Sequence, residues 1–144
     1  LIAACDCASV GDCSVALVWY SDWQMECCGE PFSVNDSVVW GLSEDLDVDW
    51  LDAVIGSDLA AQVTHQEDHH DQVENVVVRT GKVRSIRCVY CRYGPAPGGD
   101  KRMLYPVPGT AEIRPAKRVD GTEGIRGGDL EFNGYLVEFE LEPI

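Results

Sequence analysis

The stretch Val76–Tyr93, VVVRTGKVRSIRCVYCRY, decides the fold class of this chain. It is rich in β-branched and aromatic residues, and it predicts either one long strand or two strands joined near Gly81. Because side chains alternate between the two faces of a strand, Cys91 is expected to share a face with Val89, and Cys88 to lie on the opposite face. A strand of this length indicates that a sheet is the main element of the domain.

Further segments with strand character flank this stretch and are separated by glycine-rich turns. They are Ser14–Tyr20, Phe32–Trp40 with a turn or bulge at Asn35 and Asp36, Met103–Gly109, Gly109–Pro115 and Phe132–Pro143. In the last of these, Val137, Phe139 and Leu141 alternate with glutamates, which predicts one buried and one exposed face. The pattern predicts a mainly β fold of the α+β type, a small, partly closed β-barrel or a curled antiparallel sheet.

The segment Asp47–Gln72 interrupts the strands with helical character. Its apolar residues recur at helical spacing and predict one buried face: Trp50, Leu51, Val54 and Ile55. Asp49 is the expected N-cap and Gly56 the expected end of this helix. The sequence therefore predicts a sheet or barrel with a short helical insertion.

The chain of 144 residues, 45% of them hydrophobic, fits one domain of ordinary size. Its net charge is −14, and residues 1–78 carry sixteen acidic side chains and no lysine or arginine. Nucleic acids and anionic membranes are bound through basic surfaces, so the charge argues against both as partners. An acidic surface that keeps the protein soluble and one that recruits a basic partner are both compatible with this charge.

Seven cysteines cannot all pair within one chain, and no secretory signal precedes the first strand. These features predict a cytoplasmic protein with mostly unpaired thiols. Residues 1–16 are expected to form a flexible N-terminal extension that contains Cys5, Cys7 and Cys13, and residues 17–144 a single globular domain.

Potential metal ligands occur in three places, and the candidate site that we derive from them is Cys27, Cys28, His69 and Cys91. Structural zinc takes four cysteine or histidine ligands in a tetrahedron, so zinc is the expected metal. His70 and Cys88 are alternate ligands. Cys27 and Cys28 can face one ion only if they lie in a turn, which the following Gly29 favours.

The same residues allow other interpretations. Cysteine packs well in cores, so several of them could be core residues, and the histidines could lie on an acidic surface. Cys28 or Cys91 could act as a redox-active or nucleophilic thiol with His69 or His70 as the base. The segment HQEDH, which begins at His65, has zinc-protease spacing on a helix but carries its glutamate at the wrong position, which excludes that protease class.

A set of segments occurs here in the order found in a known family. They are VWYSDWQMECCGEPFSVNDSVVW, EDHH, GKVRSIRCVYCRY, LYPVPG and GYLVEFEL. From about Leu17 to its end the chain resembles the DUF6578 family of small actinobacterial proteins of unknown function. The resemblance implies a bacterial, cytoplasmic protein, and it implies no activity, substrate or cofactor.

The sequence is therefore interpreted as a small non-enzymatic binding or interaction domain that could hold a structural zinc ion. A protein partner is expected to contact its acidic surface or its aromatic residues, such as Trp19, Trp23 and Trp40. The alternative hypothesis is a thiol- or metal-dependent enzyme that uses Cys27, Cys28 or Cys91 with a histidine.

Overall fold

The computed structural model describes residues 14–69 and 75–143, apart from the side chain of Cys28. The helices are α1 (Asp22–Cys28), α2 (Val48–Ile55), α3 (Ser57–Ala60) and a 3₁₀ helix (Glu123–Gly127). The strands are β1 (Ser14–Ser21), β2 (Phe32–Ser33), β3 (Ser37–Ser43), β4 (His65–Glu67), β5 (Val77–Cys91), β6 (Tyr93–Pro95), β7 (Leu104–Pro106), β8 (Glu112–Ala116), β9 (Arg118–Val119) and β10 (Glu131–Leu141).

Five strands form a closed barrel in the order β10, β1, β4, β3, β5, and pairing of β5 with β10 closes it. Neighbouring strands are antiparallel except β1 and β4, which are parallel. Strand β8 adds to β5 outside the ring, while β2–β9 and β6–β7 form separate two-stranded ribbons. The predicted small, mainly β barrel is confirmed, and its ring is closed.

Strand β5 is long because it pairs with three neighbours. Its first part pairs with β3, residues 86–90 pair with β8, and residues 81–91 pair with β10. The register with β10 shifts twice, so Asn133 is an extra residue on β10 and Arg84 an extra residue on β5. Such bulges bend strands and increase their twist, which a small closed barrel requires.

The barrel interior is an apolar core with a large aromatic content. Trp40 stacks on Phe139 with ring centroids 4.9 Å apart, and Tyr20 meets Trp40 edge-on at 5.2 Å. Val137, Phe139 and Leu141 all face this interior, as their alternation with glutamates predicts. One sequence pattern in β10 therefore places both the core residues and the solvent-facing acids of that strand.

A second core lies on the outside of the barrel, where α2 and α3 cover β1, β5 and β10. Leu51, Val54 and Ile55 of α2 are buried there, which confirms the predicted apolar face. The N-cap is Asp47, whose side chain accepts a hydrogen bond from the Trp50 amide, so the prediction of Asp49 was wrong. Two layers of core thus fix the position of α2 relative to β1.

The 3₁₀ helix Glu123–Gly127 holds a carboxylate inside the protein. Glu123 is 2% exposed, and its carboxylate accepts hydrogen bonds from the Gly121 amide at 2.9 Å and the Tyr135 hydroxyl at 2.5 Å. Arg126 lies 3.1 Å from the same group. Because the Glu123 carboxylate is paired and hydrogen-bonded, its burial is tolerated. Its hydrogen bond with Tyr135 connects the 3₁₀ helix to β10.

The structure also bears on the predicted strand over residues 76–93, on the turn at Asn35 and on the boundary after residue 16. Val76–Tyr93 is predominantly one strand, and a turn at Asn35, which has a φ of 79°, separates β2 from β3. The boundary predicted after residue 16 stays a prediction, since most of that segment lies outside the described residues, although β1 begins at Ser14. None of the helices in residues 14–69 and 75–143 has the length and apolar character of a bilayer span.

Candidate functional site

The vicinal cysteines lie in a helix and not in the turn that Gly29 suggests. Helix α1 ends at Cys28, and Gly29 follows as its C-cap with a backbone bond to Met25. Cys27 is exposed at this end, and the side chain of Cys28 is outside the described part. The prediction of a turn at this pair was therefore wrong, because residues 22–28 complete nearly two helical turns.

The two cysteines of β5 occupy opposite faces of the strand, as the alternation predicts. Cys88 faces the barrel interior and Cys91 faces the outer core with Val89. Burial raises the pKa of Cys88 to about 12 and also raises the pKa of Cys91. Asn133 donates a hydrogen bond to the Cys91 sulfur at 3.2 Å. Both thiols are therefore protonated at neutral pH and pack as core residues.

His65 and His69 do not share a helix face, because residues 65–67 form strand β4. His69 lies beyond the strand with its Nδ1 atom 2.8 Å from the carboxylate of Glu67. Glu67 is 3% exposed, and burial raises its pKa although His69 opposes that shift. The prediction of a helix here was wrong, because pairing with β1 and β3 overrides the spacing of the histidines.

The described residues 14–69 and 75–143 contain no group of three or more histidine, cysteine or acidic side chains that could hold a metal ion. His70 lies outside this part of the chain. The zinc site of Cys27, Cys28, His69 and Cys91 includes a side chain that is not described, so it stays a prediction. Cys91 packs in the outer core, whereas His69 lies 6.3 Å from the ring of Tyr20, a residue of the inner core.

The pair of Glu67 and His69 lines one of the larger clefts of the protein, of about 520 Å³, which we call the histidine cleft. Its apolar wall consists of aromatic residues from the barrel interior: Tyr20, Phe32 and Trp40. Burial, with a contribution from Glu67 and Glu30, raises the pKa of the Tyr20 hydroxyl. The cleft therefore holds a neutral phenol beside a carboxylate and imidazole pair.

A different cleft, of about 430 Å³, lies where β1, α1, α2 and β10 meet, and we call it the tryptophan cleft. Its lining is aromatic and acidic: Trp19, Trp23, Trp50, Tyr93, Phe132, Asp22, Asp47 and Glu131. Leu46, Leu51, Ser21, Gln66 and Asn133 complete it. The cleft thus combines three indole rings with three carboxyl groups.

The indole rings come from three different elements. Trp19 is buried on the outer face of β1, and Trp50 of α2 meets it edge-on with ring centroids 5.5 Å apart. Trp23 of α1 remains 44% exposed. Since β1 and α2 belong to the same outer core, the Trp19–Trp50 pair is a fixed base, and Trp23 is the solvent-exposed wall of the cleft.

The carboxyl groups of the tryptophan cleft have no ion-pair partner in the described part of the chain. Burial raises the pKa of Asp22 to about 6, while a 2.8 Å hydrogen bond from the Trp23 amide opposes that shift. Asp47 accepts the Trp50 amide as the helix cap. The lining shows no lysine or arginine among the described residues, so no residue of the lining balances its negative charge. Arg92 lies in an adjoining cleft with Glu131 and pairs with Asp129.

Tyr93 and Asn133 form the polar wall of the tryptophan cleft. The Tyr93 hydroxyl donates to Asn133 Oδ1 at 2.6 Å, and Asn133 Nδ2 in turn donates to Cys91 Sγ and to the Glu131 carbonyl. Burial raises the pKa of Tyr93 to about 12, with further contributions from Cys91, Asp22 and Glu131. Cys91, a ligand of the predicted metal site, accepts the Asn133 hydrogen bond behind this wall.

Sequence reasoning singled out Trp19 and Trp23 as aromatic partner-binding residues but missed the acids beside them. Asp22 is adjacent to Trp23 in sequence, and this dipeptide at the end of a strand was the available signal. Glu131 could not be found in that way, because it reaches the cleft only through the pairing of β10 with β5, in which it lies opposite Cys91. The structure thus moves the leading candidate site from the cysteines to the tryptophan cleft.

Comparison with known proteins yields a family and no described function. Searches of curated proteins and of solved structures each found no significant match. A family model matches residues 14–141, from the first residue of β1 to the last residue of β10, which confirms the resemblance seen in the sequence. The chain belongs to DUF6578, a family of unknown function.

Proposed function

We propose that this DUF6578 domain is a non-enzymatic binding module whose protein partner contacts the tryptophan cleft. The observation that carries the proposal is that one open cleft combines three tryptophans with three carboxyl groups that lack ion-pair partners in the described residues. Tryptophan is enriched at the energetic centres of protein interfaces, where large rings leave water.

The exposed indole of Trp23 provides a driving force for such binding. With 44% of this residue exposed, roughly 100 Å² of surface remains for a partner to cover. Covering that area contributes roughly 2.5 kcal/mol at about 25 cal/mol per Å². Trp19 and Trp50 are already packed against each other, so the cleft needs little ordering when a partner binds.

The alternative is a thiol- or metal-dependent enzyme that uses Cys27, Cys28 or Cys91 with His69 or His70. Cys91 supports this alternative poorly, because burial raises its pKa and the thiolate is the reactive form. The same argument applies to Cys88, whose pKa is about 12. Among the described cysteines, Cys88 and Cys91 are buried in the cores and Cys27 is exposed, so the thiol hypothesis retains Cys27 as its accessible thiol.

The test is an NMR titration of the ¹⁵N-labelled chain with four peptide pools of equal length, which are basic, acidic, neutral polar and apolar. The proposal expects at least one pool to give saturable shifts at the indole N–H groups of Trp23 and Trp50. A Trp50→Ala variant should lose the shift of the Trp23 indole N–H, and a Trp40→Phe variant, altered at the other cleft, should keep the shifts of Trp23 and Trp50. If no pool shifts the resonances of the tryptophan cleft, the proposed function is wrong.

A further inference from the structure

Four of the side chains that line the tryptophan cleft already use their hydrogen-bond donors inside the protein. The indole N–H of Trp19 donates to Ser21 Oγ at 3.2 Å, and the Gln66 amide donates to the Asp45 carbonyl. The Tyr93 hydroxyl and the Asn133 amide are likewise used, as described above. A ligand therefore meets mainly acceptors and aromatic faces, which favours a ligand rich in donors.

The two aspartates of the tryptophan cleft are held by backbone amides and have no ion-pair partner in the described residues. Oδ1 of Asp22 accepts the Trp23 amide at 2.8 Å, and Oδ1 of Asp47 accepts the Trp50 amide at 3.2 Å. The Asp22 carboxyl also accepts a hydrogen bond from its own backbone amide, whereas Asp47 has no further hydrogen-bond donor among residues 14–69 and 75–143. Both cations lie over indole faces. A guanidinium binds best to two oxygens of one carboxylate, whereas an ammonium takes single oxygens from several groups.

We propose that the group held in the tryptophan cleft is an alkylammonium, presented as a lysine side chain of a basic partner segment. This inference rests on the proposed function and specifies its ligand. The ammonium contacts the carboxyl groups of Asp22 and Asp47, and the aliphatic stem packs on the indoles of Trp23 and Trp50. Glu131 adds a third negative charge at the same cleft.

The charge distribution supports a basic partner over a free amine. Residues 1–78 contain sixteen acidic side chains and no lysine or arginine, and most of the cleft lining comes from this part of the chain. A segment with several basic residues gains from that field during its approach, whereas a single small cation gains less. The cleft volume of about 430 Å³ accommodates one long side chain and adjoining backbone.

The test uses the full chain and three blocked peptides, Gly-Gly-X-Gly-Gly, in which X is lysine, arginine or norleucine. Norleucine keeps the aliphatic stem and lacks the ammonium. The lysine peptide is expected to shift the Trp23 and Trp50 indole signals with an affinity at least about threefold higher than that of arginine, and norleucine to give no saturable shift. Butylamine serves as the free-amine probe and should bind more weakly than a peptide with three lysines.

A matched pair of variants separates the site from general charge. Asp22→Asn removes one cleft carboxylate and should weaken lysine binding about three- to tenfold. Asp58→Asn removes an exposed acid at the start of α3, outside the cleft lining, and should leave the affinity unchanged.

Each outcome bears on a separate claim. If arginine binds as tightly as lysine, or norleucine binds as well, the ammonium inference is wrong while binding at the cleft stands. An unchanged affinity of the Asp22→Asn variant also overturns it. If no peptide or pool shifts the cleft signals, both the inference and the proposed function fail. Tighter binding of butylamine than of the trilysine peptide would identify a small amine as the ligand and exclude the partner segment.

Discussion

Replacing Asp22 with asparagine should stabilise this domain at neutral pH, although the change removes a residue of the candidate site. Asp22 begins helix α1 and lines the tryptophan cleft without an ion-pair partner among the described residues. Asparagine has nearly the same shape and keeps the oxygen that accepts the Trp23 amide. The substitution therefore removes the charge and leaves the local hydrogen bond in place.

The size and sign of the effect follow from the pKa of Asp22, which burial raises from 3.8 to about 6. One unit corresponds to about 1.4 kcal/mol, so the upper limit is near 3 kcal/mol. Because Asp22 is only partly buried, solvent screening reduces this limit to about 1.5 kcal/mol. The folded pKa is the higher one, so the protonated carboxyl stabilises the fold below about pH 4, and that contribution is lost as the pH rises through about 6.

A negative charge at a helix N-terminus contributes about 0.3–1 kcal/mol in the opposite direction, so it has to be subtracted. Asp58 occupies the first turn of α3 and is exposed, which makes Asp58→Asn the matched control. Relative to that control, Asp22→Asn should gain about 1–1.5 kcal/mol at about pH 8 and about half of that at about pH 5. Both conditions lie above the isoelectric point near 4.3, where the protein is least soluble.

The assay is urea unfolding followed by far-UV circular dichroism, with wild type and both variants at each pH. The free energy of unfolding is compared only if the slope with urea stays constant among the three proteins. A gain of equal size at both pH values would show that burial of the charge is not the cause. A loss of stability in Asp22→Asn relative to the control at about pH 8 would refute the reasoning altogether.

Three other substitutions or treatments test the structure at separate places. Gly134→Ala should destabilise the fold by about 3 kcal/mol in thermal unfolding, because the added Cβ would lie 2.4 Å from the Tyr20 carbonyl oxygen where β10 meets β1. Glu123→Gln should cost about 2–4 kcal/mol in urea unfolding, since the buried carboxylate loses charge-assisted hydrogen bonds; a change below about 0.5 kcal/mol would contradict this role. Peptide-level mass spectrometry should find Cys88 and Cys91 unalkylated by iodoacetamide until urea unfolds the chain, and rapid labelling of the native protein would contradict their core position.

The alternation of side chains in β5 could be predicted from the sequence because each face of the strand packs against a core. Cys88 and Cys91 lie in different cores. A register shift of one residue would move the side chains of each face of β5 to the opposite core. Closure of the barrel was not predictable to the same degree. It depends on the pairing of β5 with β10 and on bulges at Arg84 and Asn133, which no local pattern indicates.

Two short elements were predicted wrongly for related reasons. Helix α1 has seven residues, too few for a periodic pattern, and its Trp23 points to solvent. The segment His65–Glu67 has helical histidine spacing nearby, yet it pairs with β1 and β3. In both cases tertiary contacts outweigh weak local preference, which is common for elements of this length. The candidate metal site assumed a turn at Cys27 and Cys28, which lie at the end of α1, and it stays a prediction because the Cys28 side chain is outside the described residues.

The tryptophan cleft contains two features that lower the stability of the fold, the Asp22 carboxyl without an ion-pair partner in the described residues and the exposed Trp23 ring. A fold selected only for stability would pair Asp22 with a cation or replace it, since an unpaired carboxylate beside indole rings raises the free energy of the folded state. It would also cover Trp23, as α2 covers Trp19. Local conflicts of this kind concentrate at functional sites, where stability is lost in favour of binding. A single lysine ammonium on a partner would resolve both conflicts together, because it supplies the missing positive charge and its stem covers the exposed indole.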